Sequence, residues 1–419
     1  MQNQSSEQTK LPIPRLEFIA LCAALMALNA LAIDIMLPGL QEIGASLGVT
    51  SENNRQFVIT AYLIGFAFAQ LVYGPLSDSF GRRGPLLVGM GIYSIASIAA
   101  AFAPSFEFLL ICRAVQGIGA AATRVIVVSV VRDTFGGRAM AEIMSLIFMI
   151  FMVIPVIAPL LGQGIMLFGD WHYIFVVMAI GCALIAWWTA TRLPETLHPE
   201  YRRALNLGVI AQGFKIVVTN RMAILYTIAT TFIFGALFGF INSAQQVYVG
   251  IYGIGVWFPV VFAGIASLMS ISSFLNSRLV GRLGMRRLSH AAIIGYFVTT
   301  GIWLTCTLIY GQLPLAVFIG FFAIAMLLFG WIGSNLNTIA MEPLGHLAGT
   351  ASSVFGFIQT LGGALIGALI GQAFDGTTIP MVGGFCFVSA IAIILILIAE
   401  NGKLFAVHHD PIPPIAEKD

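Results

Sequence analysis

Twelve apolar runs constrain this chain more than any other feature of its sequence. Only 9% of the 419 residues are charged, whereas soluble domains carry roughly a quarter. A helix needs about 20 consecutive apolar residues to cross a bilayer, and each run has about that length. We therefore predict an all-α membrane protein with twelve transmembrane helices, at 16–37, 56–76, 85–104, 107–131, 142–166, 172–193, 222–244, 254–276, 288–310, 314–336, 349–371 and 379–399.

Basic residues favour one side of these predicted spans. An even number of spans puts both termini on the same side of the membrane. If that side is the cytoplasm, the inner loops hold most of the arginines, and the outer loops hold Arg55 alone. Cytoplasmic loops are enriched in Lys and Arg, so we expect both termini to be cytoplasmic.

The widest predicted cytoplasmic gap divides the chain into two halves. We expect a tail at 1–15, a six-helix bundle at 16–193, a linker at 194–221, a second bundle at 222–399 and a tail at 400–419. A weak repeat supports this division, because SDSFGRRGPLL (77–87) has a degraded counterpart, VGRLGMRRLSH (280–290). The second copy has Gly281 where the first has Asp78, so we expect the second half to lack this acid.

Three charged residues lie well within predicted spans: Asp34, Arg113 and Arg124. Charged groups in a membrane are costly and usually face an interior cavity, although a structural ion pair is the simpler alternative. Asp34 and Arg113 both fall in the outer half, and Arg113, Gln116 and Arg124 share one helical face, with the two arginines about 16 Å apart by helical rise. We hypothesise that Asp34 carries a coupling proton, that Arg113 sets its proton affinity, and that this face lines a cavity. Arg124 either attracts polar substrates or extends toward the cytoplasmic surface.

Three ordered motifs resemble the major facilitator superfamily and its proton-driven drug antiporters. YGPLSDSFGRRGPLL (73–87) follows the second span, RAVQGIGAAA (113–122) opens the fourth, and AIDIMLPGL lies in the first. The run AGTASSVFGFIQTLGGALIG (348–367) is similar to the bicyclomycin and chloramphenicol resistance branch. The resemblance implies two six-helix bundles around a central cavity, alternating access, proton antiport and a bacterial inner-membrane location.

The fifth span departs from the family's antiporter motif. It reads IPVIAPLLGQG, with Ala158-Pro159 and Gly162-Gln163 where the family has Gly-Pro and Gly-Gly. Prolines inside a helix free backbone carbonyls and bend it. We expect a helix bend at Pro155 and Pro159, which would serve gating or packing.

The loop after the second span is a candidate cytoplasmic gate. Gly74 permits a close helix approach, Gly81 permits a sharp turn, and Asp78 can meet a helix N-terminus or a basic partner such as Arg132 or Arg138. Arg82 and Arg83 belong to this gate or act only as topology signals.

Other polar or aromatic residues within the spans either contact substrate or hydrogen-bond between helices. As candidates for the substrate cavity we predict Asn29, Tyr62, Gln116, Arg124, Asn242, Gln245, Trp331, Asn335 and Gln359.

The chain has no P-loop, no metal-spaced His/Cys set and no GxSxG motif, so we expect no enzyme activity, cofactor or metal. Its five cysteines lie in apolar runs and are expected to be free. We predict a monomeric, proton-coupled exporter of small lipophilic or amphipathic compounds, partnered by protons and the lipid bilayer and by no nucleic acid. The alternatives are a metabolite exporter, a proton-linked importer and a membrane receptor that does not transport.

Overall fold

The computed structural model describes residues 13–135, 137–202 and 207–405. Within them the chain forms fourteen α-helices and no strand. The helices are α1 Arg15–Asp34, α2 Leu40–Ser46, α3 Phe57–Phe80, α4 Arg83–Ala101, α5 Phe106–Thr134, α6 Gly137–Met166, α7 His172–Arg192, α8 Leu207–Thr219, α9 Arg221–Gln245, α10 Phe258–Leu283, α11 Met285–Tyr310, α12 Leu315–Met341, α13 Ala348–Gln372 and α14 Ile379–Ala399.

The prediction of an all-α membrane protein is confirmed. In the described residues, eleven helices are long and apolar enough to cross a membrane, namely α1, α3 to α5, α7 and α9 to α14. The remaining predicted span, 142–166, lies within α6, whose apolar segment Val153–Met166 is described. α6 continues through Pro155 and Pro159, and the bend expected there stays a prediction.

The spanning helices pack as two bundles of six. α1, α3, α4, α5, α6 and α7 contact one another in the first half, and α9 to α14 do so in the second. The halves meet mainly along two helix pairs, α3 with α13 and α6 with α10. The linker is partly helical, since α8 lies within it and packs against α13.

Glycines bring neighbouring helices close together. A Cβ added at Gly117 of α5 would collide with the backbone carbonyl of Tyr62, and one added at Gly65 of α3 would collide with the carbonyl of Ala114. Only glycine permits so close a backbone approach. α3 and α5 are therefore held in one register, which fixes the polar groups between them.

The bundle has two ends, which we name by the chain. At the terminal end, Glu17 of α1 accepts hydrogen bonds from Arg192, and Arg221 donates to Ile398 at the close of α14. The far end is the opposite one, and it carries the segment from the end of α1 to the start of α3, which includes α2. This naming assigns neither end to a side of the membrane.

Candidate functional site

Arg113 lies at the centre of a buried polar network in the first bundle. Its side chain is fully buried, and it donates to the carbonyl of Ala32 on α1 at 2.9 Å and to the carbonyl of Val58 on α3 at 3.1 Å. The guanidinium also lies 4.6 Å from the ring centroid of Tyr62, a cation–π arrangement. It further donates to Gln116 one turn along α5. One side chain thus ties α1, α3 and α5 together.

Asn29, Tyr62 and Gln116 belong to the same network. The Tyr62 hydroxyl donates to Asn29 Oδ1 at 2.8 Å, and Gln116 donates to Ser97 of α4 at 2.6 Å. All three side chains are buried. In this structure they join helices to one another, the alternative to substrate contact that the sequence left open.

Asp34 is 5% exposed and ends α1. Among the described residues, its carboxylate makes no hydrogen bond and no ion pair. The Arg113 guanidinium bonds instead to the carbonyl of Ala32, two residues earlier in the same helix. The structural ion pair that the sequence suggested as an alternative is therefore not formed here.

Asp34 lies in line with a stripe of partly exposed side chains along α1. Within that helix, beyond its first turn, the side chains that are not buried are Ala20, Ala24, Ala27 and Leu31, spaced three or four residues apart. Asp34 continues the stripe, because it follows Leu31 by three residues and Ala27 by seven. We interpret the stripe as a wall of the space between the halves, which makes Asp34 the acid at the far, closed end of that wall.

Arg124 is exposed on the inward side of α5. The lipid-facing side of this helix is marked by exposed Ile111, Val115 and Ile118. Arg124 follows Val115 by nine residues, which at 3.6 residues per turn places it on the opposite side. Because its side chain is exposed there, Arg124 borders the space between the halves. The sequence predicted that the whole face with both arginines lines a cavity. In the structure the part around Arg113 is buried against α1 and α3, and Arg124 is exposed.

Most of the predicted polar residues in the second bundle are engaged between helices. Trp331 of α12 donates to the carbonyl of Ser272 on α10 at 3.0 Å, Asn335 donates to Asn276 at 2.7 Å, and Gln359 donates to Asn337 at 2.6 Å. These bonds fix α12 against α10 and α13.

Asn242 and Gln245, near the end of α9, differ from those residues. Asn242 is 2% exposed, and neither polar atom of its amide has a hydrogen-bond partner among the described residues. Gln245 is 9% exposed, and its side chain makes no hydrogen bond within the described chain. A buried amide without a partner is costly, so Asn242 keeps a donor and an acceptor that a ligand can bind only after the surrounding helices move apart.

Arg82 organises the loop after α3. Its side chain is almost fully buried, and it donates to Asp133 at 2.7 Å, to Ser77 at 2.9 Å and to Asp78. Burial lowers the pKa of this guanidinium, but the bonds to Asp133 and Asp78 raise it more, so the pKa lies above its ordinary value. Arg82 is therefore a charged structural centre and more than a topology signal.

Glu195, which the sequence analysis did not select, closes this cluster. Its carboxylate accepts hydrogen bonds from the backbone N–H groups of Arg82 at 2.8 Å and Arg83 at 3.2 Å, where α4 begins. An anion at a helix N-terminus is favoured by the helix dipole. Of the two kinds of partner expected for Asp78, the structure shows a basic one, Arg82, while Glu195 meets the helix N-terminus. Gly81 makes the turn with a φ of +91°.

Arg132, one of the basic partners suggested for Asp78, makes no bond to it in the described chain. Arg132 lies 3.9 Å from Asp133. Its guanidinium is 3.3 Å from where a Cβ would lie on Gly349, in the first turn of α13. Gly74 likewise faces Ser353 of α13, so the loop region touches the second half through these two residues. The side chain of Arg138 lies outside the described residues.

The repeated loop in the second half retains an ion-pair cluster. Gly284 has a φ of +81°, like Gly81, and Arg286 at the start of α11 donates to Glu342 at 2.7 Å and to Glu400 at 3.1 Å. Gly281 replaces the aspartate in sequence, but Glu342 beyond α12 and Glu400 beyond α14 supply the acids. The second half thus lacks the aspartate, as its sequence shows, but Arg286 pairs with acids from elsewhere in the chain.

An amide cluster joins the two halves at the far end. Gln56 donates to Gln246 at 2.6 Å and to the carbonyl of Gly371 at 3.2 Å, and Gln246 donates to Asn53 at 2.7 Å. Asn53 donates to the carbonyls of Gln372 and Phe374, both at 3.0 Å. These residues lie in turns and at helix ends, where no periodicity marks them, and the sequence analysis missed them.

All five cysteines are free. Within the described residues, no group of three or more His, Cys, Asp or Glu side chains is placed to hold a metal ion.

Two membrane-spanning six-helix bundles, with Asp34 and Arg113 buried in the first, define a membrane-embedded transporter. The sequence model of the Major Facilitator Superfamily matches residues 19–367. The chain belongs to the major facilitator superfamily.

Individual proteins of this superfamily resemble nearly the whole chain. An uncharacterized MFS-type transporter, YdgK of Bacillus subtilis, is 34% identical over 90% of this chain and 93% of its own length. A bicyclomycin resistance protein homolog of Haemophilus influenzae is 33% identical over 92% of this chain and 97% of its own. Among solved structures, the xylose transporter XylE from E. coli, in a partially occluded inward-open conformation, has a TM-score of 0.71 at 13% identity, with 92% and 97% of the two chains covered. That likeness concerns the fold alone.

Proposed function

We propose that this chain is a proton-coupled antiporter that exports small lipophilic or amphipathic compounds by alternating access. The observation that carries the proposal is Asp34, a buried carboxylate with no partner among the described residues, at the closed end of the α1 stripe. A relative named as a bicyclomycin resistance protein homolog supports the choice of substrate class.

The coupling step follows from the environment of Asp34. A carboxylate without a hydrogen bond in an apolar site is more stable protonated than ionised. When the far end opens, water reaches Asp34 and a proton binds its carboxylate. When the terminal side is open, the proton leaves toward that side and the substrate enters the space between the halves. One proton carrier thus serves both sides without a second intramembrane acid.

Arg113 acts in this proposal as a positioning residue. Its bond to the carbonyl of Ala32 holds the last turn of α1 against α5, and its bond to Val58 holds α3 in the same place. The direction in which Asp34 points therefore depends on Arg113, although the two side chains do not pair.

Arg124, Asn242 and Gln245 are the proposed substrate contacts. Arg124 is exposed on the inward side of α5 and has no partner in the described chain, so it can bind a polar or anionic group of an amphipathic compound. Asn242 offers a donor and an acceptor without a present partner in the described residues. Apolar side chains around them would hold the lipophilic body of the substrate.

The proposed gates lie at opposite ends. The amide cluster of Asn53, Gln56, Gln246 and Gln372 closes the far end, and the Arg82 cluster with Arg132 stabilises closure at the terminal end. The arginine-rich loops at the terminal end favour the cytoplasm for that end. The proposed location is accordingly a bacterial inner membrane, with both termini cytoplasmic.

Drug accumulation in bacteria without their own efflux pumps tests the direction of transport. Cells that express this chain should hold less labelled chloramphenicol or bicyclomycin than empty-vector cells, and a protonophore should remove the difference. Asp34→Asn should behave as the empty vector, while Glu107→Gln, which changes an exposed acid at the start of α5, should behave as wild type. Higher accumulation in expressing cells would overturn export in favour of import.

A further inference from the structure

The side chains that α10 and α11 present to lipid end in arginines at the terminal end. On α10, exposed Val260, Ile271 and Phe274 form one apolar stripe, and exposed Arg278 and Arg282 continue it. Arg278 follows Val260 by eighteen residues, a rise of about 27 Å, and the hydrocarbon core is about 30 Å thick. The stripe therefore crosses the apolar core, and Arg278 lies where phospholipid headgroups begin.

α11 repeats the arrangement. Exposed Val298, Ile302 and Ile309 lie on one side of the helix, and Arg287 lies on the same side at its start. Arg287 precedes Ile309 by twenty-two residues, a rise of about 33 Å. Only Gly284 separates α10 from α11, so the three arginines flank one tight turn at the terminal end, within about 6–8 Å of that turn along their helices. We call Arg278, Arg282 and Arg287 the loop arginines.

The loop arginines have no acidic partner in the described part of the chain. Five other arginines at this end are bonded within the protein, namely Arg15 to Glu142, Arg82 to Asp133, Arg192 to Glu17, Arg221 to Ile398 and Arg286 to Glu342, whereas the side chains of Lys215 and Lys403 are exposed without a bond to a described residue. The loop arginines make no hydrogen bond or ion pair with any described residue, and Arg278 lies 4.9 Å from the ring centroid of Phe274. Three exposed charges without acidic partners, beside two lipid-facing stripes, favour anions from outside the protein.

We infer that the loop arginines bind the headgroup phosphate of an anionic phospholipid, whose acyl chains lie along the exposed stripes of α10 and α11. Guanidinium groups match phosphate oxygens in geometry as well as charge. The apolar side chains one to two turns away contact the acyl chains. A free phosphate lacks this second contact, which commits the site to a lipid.

Lipid binding by two double variants, each lacking two positive charges, tests this inference. The full chain in detergent is titrated with phosphatidylglycerol or with phosphatidylcholine of the same acyl chains, and native mass spectrometry measures the affinity of the first bound lipid. The patch variant is Arg278→Gln/Arg282→Gln. The control is Lys215→Gln/Lys403→Gln, which removes two exposed charges elsewhere at the same end.

Wild type should prefer phosphatidylglycerol. The patch variant should lose about 30-fold in that affinity, roughly fivefold for each guanidinium, and the control should stay within about twofold of wild type. Salt should weaken the preference, because exposed charges are screened. Glycerol 1-phosphate, which has the headgroup and no acyl chains, should not compete at equal concentration.

Equal losses in the patch variant and the control would overturn the inference, since the charges would then act only through their number. Absence of any preference for phosphatidylglycerol in wild type would overturn it as well. Competition by glycerol 1-phosphate would replace the lipid with a free phosphate. If the double variant does not fold, Arg278→Gln and Arg287→Gln singly decide the same question at about fivefold each. None of these outcomes depends on proton coupling.

Discussion

Asn53 is the residue at which closure of the far end can be tested most simply. Its side chain donates to the carbonyls of Gln372 and Phe374 and accepts from Gln246, so Asn53→Ala removes three hydrogen bonds between the halves. Each such bond contributes about 0.5–1.5 kcal/mol net, toward the lower value where water can replace it. Because Asn53 is partly exposed, we expect a loss of about 2 kcal/mol, or about 30-fold in the ratio of far-closed to far-open protein.

Spin labels at Ala45 and Gln312 report this ratio. Both positions are exposed at the far end, one in each half, and double electron–electron resonance measures the distance between them. Wild type should show mainly the shorter, closed distance, and Asn53→Ala should shift the population toward the longer one. Asn54→Ala is the control, because Asn54 is an exposed neighbour whose side chain makes no hydrogen bond in the described chain. Indistinguishable distributions for the two variants would refute the assignment of closure to the amide cluster.

Two further pairs of substitutions test packing and charge. Gly162→Ala should lower stability by about 1–3 kcal/mol, because its Cβ would collide with the carbonyl of Ile35; Gly164→Ala, with nothing within 4 Å of its Cβ, should be neutral or stabilising, and thermal unfolding in detergent compares them. Arg82→Gln should cost about 2 kcal/mol or more by removing a buried charge bonded to both Asp133 and Asp78, whereas Arg83→Gln, which removes a bond to the carbonyl of Ala190, should cost about 1 kcal/mol. Equal melting temperatures within either pair would contradict the corresponding contact.

The helices were predictable from sequence because a bilayer forces each crossing segment to be apolar and long enough to span it. α4, predicted at 85–104, runs Arg83–Ala101, and α14, predicted at 379–399, runs Ile379–Ala399. Periodicity also placed Arg113 and Arg124 on one face of α5. It could not show that α1 and α3 cover the Arg113 half of that face and leave Arg124 exposed.

Partners across the bundle were not predictable, because each depends on how distant segments pack. Glu195 lies 113 residues from Arg82, and its PET sequence carries no sign that its carboxylate accepts from the start of α4. Asn53 and Gln372 are 319 residues apart and lie at the far end, outside any amphipathic pattern. Likewise, the acids that pair with Arg286 in place of an aspartate at Gly281 are Glu342, just beyond α12, and Glu400, just beyond α14.

The central claim, that Asp34 carries the coupling proton, is tested most directly by proton flux in proteoliposomes. An internal pH dye follows proton movement when a transported drug is added, for wild type, Asp34→Asn and Glu107→Gln, and drug binding is measured in parallel. The account predicts flux in wild type and Glu107→Gln, and none in Asp34→Asn although it still binds drug. Drug-driven proton flux at the wild-type rate in Asp34→Asn would contradict it.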